Sequence, residues 1–224
     1  MTDEIINKQK KYKAISTDFN NTIRYSKESL HRNYNPFETN DIMAVESSNS
    51  IIYILLKNGT IVCLGNLAFC NKKISINLPY EEKFYTFPIK YRVIDISCGK
   101  EHAICITEDY KLFSWGNNYH GQLGLENFPC NFDSNKFEAS EISYFKKMKV
   151  IYIKAEYYNS YCMSSENKLY GWGSNDHGQL FQDLDQTLIN TPHVINLNEE
   201  FSDLLIAMKK SGSSVYACDG KYCF

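Results

Sequence analysis

The chain has 224 residues, 43% of them hydrophobic and 22% charged, with 24 Lys+Arg against 26 Asp+Glu and a formal net charge of -2. This composition excludes wholesale disorder, and the charge balance speaks against a protein that grips a nucleic-acid backbone broadly. The length suits one domain or one repeat array.

The first 40 residues form an N-terminal segment. Met1–Lys11 holds no apolar core of signal-peptide length, and no run in the chain approaches the roughly 18 apolar residues of a membrane span. A soluble intracellular protein, in the nucleus or the cytoplasm, is therefore expected. Its eight Cys are then thiols, and without a CxxC pair they suggest no metal site. The lysine clusters at Lys8–Lys13, Lys72-Lys73 and Lys146–Lys149 read as solvated charge. Ala14–Tyr25 reads as a worn strand and turn, a degenerate half-unit at 12–25.

From residue 41 onward the chain repeats. The best copy is Leu112-Phe-Ser-Trp-Gly-Asn-Asn-Tyr-His-Gly-Gln-Leu-Gly-Leu125, and a second is Leu169-Tyr-Gly-Trp-Gly-Ser-Asn-Asp-His-Gly-Gln-Leu-Phe181. Trp115 and Trp172 lie 57 residues apart, and so do His120 and His177, Gly121 and Gly178, Gln122 and Gln179, and Leu123 and Leu180. The match extends upstream without a gap, Val93–Ser114 aligning with Val150–Gly171. Each copy reads as an apolar strand, a polar break, a second apolar strand, a two-residue turn (Asp109-Tyr110, Glu166-Asn167) and a third strand ending in Trp-Gly.

An earlier copy runs from Asp41 to Gly65, with Asn58-Gly59 at its turn, and its Gly-Gln-Leu-Gly half has decayed. A partial copy closes the chain, Leu204–Met208 and Val215–Phe224 matching the first two strands and the start of the third. The units are therefore about 41–92, 93–149, 150–203 and a partial 204–224. Proline-bearing connectors between them have room for an extra strand or for decoration of one face. A period just above fifty residues made of short strands points to an all-β β-propeller with one blade per repeat. Gly121 and Gly124 then give the turn its backbone freedom, Leu123 is an apolar plug, and Gln122 pairs main-chain groups.

At these residues the chain resembles the RCC1-like repeat family, the regulator-of-chromosome-condensation propellers. The second unit carries the resemblance through Gly99-Lys-Glu-His102, Thr107, Leu112, Trp115-Gly116 and Gly121-Gln-Leu-Gly124. In the third, Glu156, Asn159 and Phe181 depart from the pattern. The structural blade signature comprises Trp115, Gly116, Gly121, Gln122, Leu123 and Gly124, with Trp172, Gly173, Gly178, Gln179 and Leu180. The resemblance implies seven blades in a full ring. This chain has material for about four, a partial or open propeller, unless 12–25 and 201–224 close the ring as parts of one blade.

The resemblance also implies a non-catalytic protein-interaction propeller, a scaffold or regulatory binding module. The alternative it implies is guanine-nucleotide exchange on a Ran-like small GTPase. The expected partner is a protein, either a small GTPase or a basic protein such as a histone, with no membrane and no direct nucleic-acid contact. Carboxylates in the connectors (Glu81-Glu82, Glu138, Glu141, Asp183, Asp185, Glu199-Glu200) favour a basic partner. The sequence contains no HExxH, GxSxG or P-loop, and His120 and His177 share one turn position. The expectation is no enzyme, no catalytic residue, no cofactor and no metal.

Overall fold

The computed structural model describes residues 41–49, 51–65, 85–131, 135–183 and 185–196. They form three four-stranded antiparallel sheets, each a meander in chain order. Blade 1 holds β1 (Ile42–Ser47), β2 (Ile51–Leu56), β3 (Ile61–Gly65) and β4 (Tyr85–Thr86). Blade 2 holds β5 (Val93–Cys98), β6 (His102–Thr107), β7 (Leu112–Asn117) and β8 (Asn135–Glu141). Blade 3 holds β9 (Val150–Glu156), β10 (Asn159–Ser164), β11 (Leu169–Ser174) and β12 (Leu188–Ile195). Among the described residues there is no α-helix, and one 3-10 turn, Ser143–Phe145, lies between blades 2 and 3. The half-unit at 12–25, the partial unit at 204–224 and any closure between them lie outside the described residues.

The second strand of each blade explains why the blades stack. All six side chains of β2, and all six of β6, are buried. A strand covered on both faces reads as a continuous apolar run because alternate side chains serve two different cores. Tyr53, Leu55, Ile61 and Cys63 of blade 1 meet Ala103, Cys105, Phe113 and Trp115 of blade 2 in one cluster. Ile104, Ile106 and Leu112, on the other face of blade 2, meet Cys162, Tyr170 and Trp172 of blade 3. Ile52, Ile54, Leu56, Val62 and Leu64, on the far face of blade 1, form a third buried cluster. Blade 2 thus gives its odd-numbered side chains to the seam with blade 1 and its even-numbered ones to the seam with blade 3.

The links alternate between two ends of the stack. One end, here the turn face, carries the links β1–β2, β5–β6 and β9–β10 and the C-terminal ends of β3, β7 and β11. The other, the hairpin face, carries the links β2–β3, β6–β7 and β10–β11 and the crossovers into β5 and β9. On the turn face the main chains of adjacent blades are bonded directly. Asn49 N–H donates to Lys100 O and Lys100 N–H donates to Tyr157 O, each at 2.8 Å, and the three residues hold equivalent places in their repeats.

The hairpin loops differ from expectation by one residue. Leu56, Thr107 and Ser164 each donate N–H to the residue four on, Thr60, Lys111 and Lys168. Each loop therefore holds three residues, the last of them left-handed: Gly59 (φ 84°), Tyr110 (φ 60°) and Asn167 (φ 60°). A three-residue loop with a left-handed third residue follows the strand twist as well as a two-residue turn does. The Asn-Gly pair of blade 1 fits either geometry, which is why its sequence points to the shorter one.

Candidate functional site

The residues of the blade signature converge on the seams rather than on an open cleft. Trp115 and Trp172 are buried, 1% and 0% exposed. Each is followed by a left-handed glycine, Gly116 (φ 109°) and Gly173 (φ 118°), where the ladder to the fourth strand shifts register. A Cβ on either glycine would strike the main chain at Glu101 or Tyr158. Gly121 and Gly178 are left-handed as well (φ 75° and 72°), and so is Gly124 (φ 66°), whose counterpart Phe181 holds φ 55°.

Leu123 and Leu180 are both fully buried. Gln122 accepts from His120 N–H with Oε1 (2.8 Å) and donates from Nε2 to Asn117 Oδ1 (3.0 Å). Gln179 accepts from His177 N–H at 2.9 Å in the same manner. Two further residues share the 57-residue spacing and were passed over in the sequence, Asn118 and Asn175. Asn118 Oδ1 accepts from Leu123 N–H, and its amide donates to Pro129 O at 3.1 Å. Asn175 Oδ1 accepts from Leu180 N–H, and its amide donates to Gln186 O at 2.8 Å. Both are buried, so each loop folds around a satisfied amide.

The loop of blade 2 then receives blade 3. The carbonyl of Gln122 accepts the indole N–H of Trp172 at 2.9 Å and the hydroxyl of Ser160 at 2.8 Å. Ser160 Oγ is in turn 2.8 Å from His102 Nε2. Since the hydroxyl proton points at Gln122, the histidine carries its proton on Nε2, and its buried Nδ1 has no partner. Burial holds the His102 pKa down at about 3, so the ring is neutral. No group of three metal-ligating side chains is found among the described residues.

The exposed chemistry lies above the seam, on the turn face. Tyr119 and Tyr157 are 46% and 59% exposed. Tyr119 stands edge-on to His120 (4.8 Å), which stacks on Tyr158 at 4.1 Å. Lys100 Nζ donates to the hydroxyls of Tyr158 (2.7 Å) and Tyr157 (3.3 Å) and lies over both rings. Tyr157 holds a left-handed backbone, φ 49°. Sequence reasoning missed this patch because its members come from three different links.

Two family models described as "Regulator of chromosome condensation (RCC1) repeat" match residues 93–122 and 110–162. Residues 93–162 of the chain are RCC1 repeats. Its blades 2 and 3 hold the matched residues, and its fold is that of an RCC1 propeller sector. Over 197 residues, 82% of the chain, it is 26% identical to the guanine nucleotide exchange factor SRM1 of Saccharomyces cerevisiae, spanning 39% of that protein. Over 85 residues, 38% of the chain, it is 33% identical to a probable E3 ubiquitin-protein ligase of Homo sapiens, HERC6, spanning 8% of it. The crystal structure of human WBSCR16 matches 70% of the chain and 40% of its own length with a TM-score of 0.60 at 20% identity. The chain thus spans less than half the length of each of these proteins.

Proposed function

We propose that this RCC1-type chain is a non-catalytic protein-interaction propeller, a scaffold or regulatory module whose partner docks on the turn face above the seam between blades 2 and 3. The observation that carries it is the cluster of Tyr119, His120, Tyr157, Tyr158 and Lys100. Exposed tyrosines locked by their neighbours give large contact area at little entropic cost, which is why tyrosine is enriched in binding hot spots. Exposed carboxylates on the same face, Glu101, Glu126, Asp176 and Asp183, suit a basic partner such as a histone. The blade plan at 41–92, 93–149, 150–203 and 204–224 goes with this reading, as does an intracellular setting in nucleus or cytoplasm.

The test compares proteins captured from native extract by the wild-type chain and by Tyr119→Ala/Tyr157→Ala. Selective loss of a bound protein at an unchanged melting temperature is the expected result. Capture of the same proteins by both forms would sink the reading.

Similarity to an exchange factor over 82% of the chain favours a second reading, nucleotide exchange on a Ran-like GTPase. Exchange needs no covalent step, only tighter binding of the nucleotide-free GTPase than of the loaded one. A labelled-nucleotide release assay with a Ran-type GTPase decides it, and no acceleration at micromolar protein ends it.

A further inference from the structure

The hairpin face carries the opposite charge, and it carries it in register with the blades. Lys90 and Lys147, Arg92 and Lys149, and Lys111 and Lys168 are three pairs of cations at equivalent places in blades 2 and 3. The first two pairs leave from the crossovers into β5 and β9, and the third from the hairpins. We propose that this face docks an acidic segment of a partner protein, a second surface on the side away from the tyrosine patch. The inference rests on the reading of the chain as a protein-binding propeller.

The cations divide by what they touch. Arg92 and Lys149 clasp the hairpin of the preceding blade. Arg92 Nη2 donates to Lys57 O at 2.9 Å with its stem lying over Gly59 and Nη1 3.5 Å from Glu108 Oε2, and Lys149 Nζ sits 3.6 Å above the ring of Tyr110. Gly59 and Tyr110 are the same left-handed hairpin position in successive blades. Lys111 and Lys168 pair with Asp109 (2.6 Å) and Glu166 (3.1 Å) beside them. Lys90 and Lys147, two residues before each clasp, are exposed and make no ion pair among the described residues. The clasp fixes the main chain from which they leave: Val93 N–H donates to Gly59 O, Glu108 N–H to Arg92 O and Ser165 N–H to Lys149 O. Two ammoniums, unpaired among the described residues, thus project from anchored points, one per blade.

The aromatic rings on this face decide the kind of polyanion. Single-stranded nucleic acid is held by basic grooves with open aromatic faces on which bases stack. Here the ring of Tyr110 is capped by Lys149, and that of Tyr91 lies between Lys111 (4.8 Å) and Phe113 (5.1 Å). These rings hold ammoniums in place instead of offering platforms. Tyr144, 45% exposed in the crossover into β9, is engaged edge-to-face with Phe145 and Tyr170. An array of placed ammoniums with the rings engaged in this way matches carboxylates spaced along an extended acidic segment.

Fluorescence anisotropy with the full chain tests it, using a labelled oligoglutamate peptide and, separately, a labelled oligodeoxythymidylate, with sedimentation to follow self-association. The expected result is peptide binding that weakens with salt and falls about 10-fold in Lys90→Glu/Lys147→Glu at an unchanged melting temperature. Absent peptide binding, or binding equal in wild type and variant, would overturn it. Tighter binding of the oligodeoxythymidylate than of the peptide would assign the face to nucleic acid, and self-association abolished by the variant would assign it to a second copy; either result overturns the proposal. Tyr119→Ala/Tyr157→Ala should leave peptide binding intact, so failure of the turn-face reading is seen separately.

Discussion

The indole N–H of Trp172 donates to the main-chain carbonyl of Gln122, whereas its repeat counterpart Trp115 donates to the hydroxyl of Tyr53 at 3.1 Å. The two tryptophans play one part on two stages. Trp172 docks on the preceding blade's intact Gly-Gln-Leu-Gly loop, with Gly124 beneath its ring. The preceding repeat of Trp115 has lost that sequence. Tyr53 supplies the acceptor instead, and Phe87 packs on the indole at 4.4 Å.

Gly124→Ala should therefore destabilise more than Trp172→Phe. The alanine Cβ would lie 2.7 Å from Trp172 Nε1, on a left-handed backbone. Trp172→Phe removes one buried donor, and the carbonyl it leaves keeps Ser160. Urea melts should give about 1–2 kcal/mol for the tryptophan change and about 2–4 kcal/mol for the glycine change.

Asn118→Ala should cost about 1–3 kcal/mol, because it strands the buried amide of Leu123 and removes the donor to the carbonyl of Pro129. Asn118→Asp should recover little, since it keeps the acceptor for Leu123 and loses the donor. The check is chemical denaturation of the three proteins side by side.

Two groups give the chain opposite pH responses. His102 is held at about 3 in the folded state against an ordinary 6.5, so between these values the unfolded chain binds the extra proton and stability falls as pH drops from 6.5 toward 3. Asp95 is raised from 3.8 to about 6, first by burial and then by Glu46, against the hydrogen bond from Ile96 N–H. There the folded chain binds the extra proton, and stability falls as pH rises from 3.8 through 6. His102→Asn, the residue blade 3 has at this place, should flatten the acid limb. Asp95→Asn, keeping the acceptor for Ile96, should raise stability above pH 6 and change it little near pH 4. Unfolding midpoints across this range read both.

Tyr157→Gly should stabilise the chain by about 1 kcal/mol, by relieving a left-handed backbone that only glycine adopts freely. The same change should weaken capture of the partner proposed for the turn face. A higher melting temperature with undiminished capture would detach the strain at Tyr157 from binding.

The repeat spacing made three strands of each blade legible, because a buried strand must be apolar and its turn must bend at a fixed place. The fourth strand was legible only as room in the connectors. Asn135–Glu141 pairs with β7 through its main chain and needs no apolar run. The glycines and glutamines of the signature could be placed at the turn by type, since few residues tolerate positive φ or satisfy two main-chain groups. Asn118 and Asn175 recur at the same spacing, yet asparagine is common in this chain and drew no notice. The tyrosine patch was hidden for another reason. It joins side chains from adjacent blades, and that adjacency exists only after stacking.

The main-chain relay from Asn49 to Lys100 to Tyr157 has a further consequence. At every step the earlier blade gives the proton and the later blade receives it, so the stack has a donor end and an acceptor end. Such an array is polar in the sense of a filament. Another blade can join it only head to tail, whether supplied by the same chain or by a different molecule, and two like ends cannot mate through this relay.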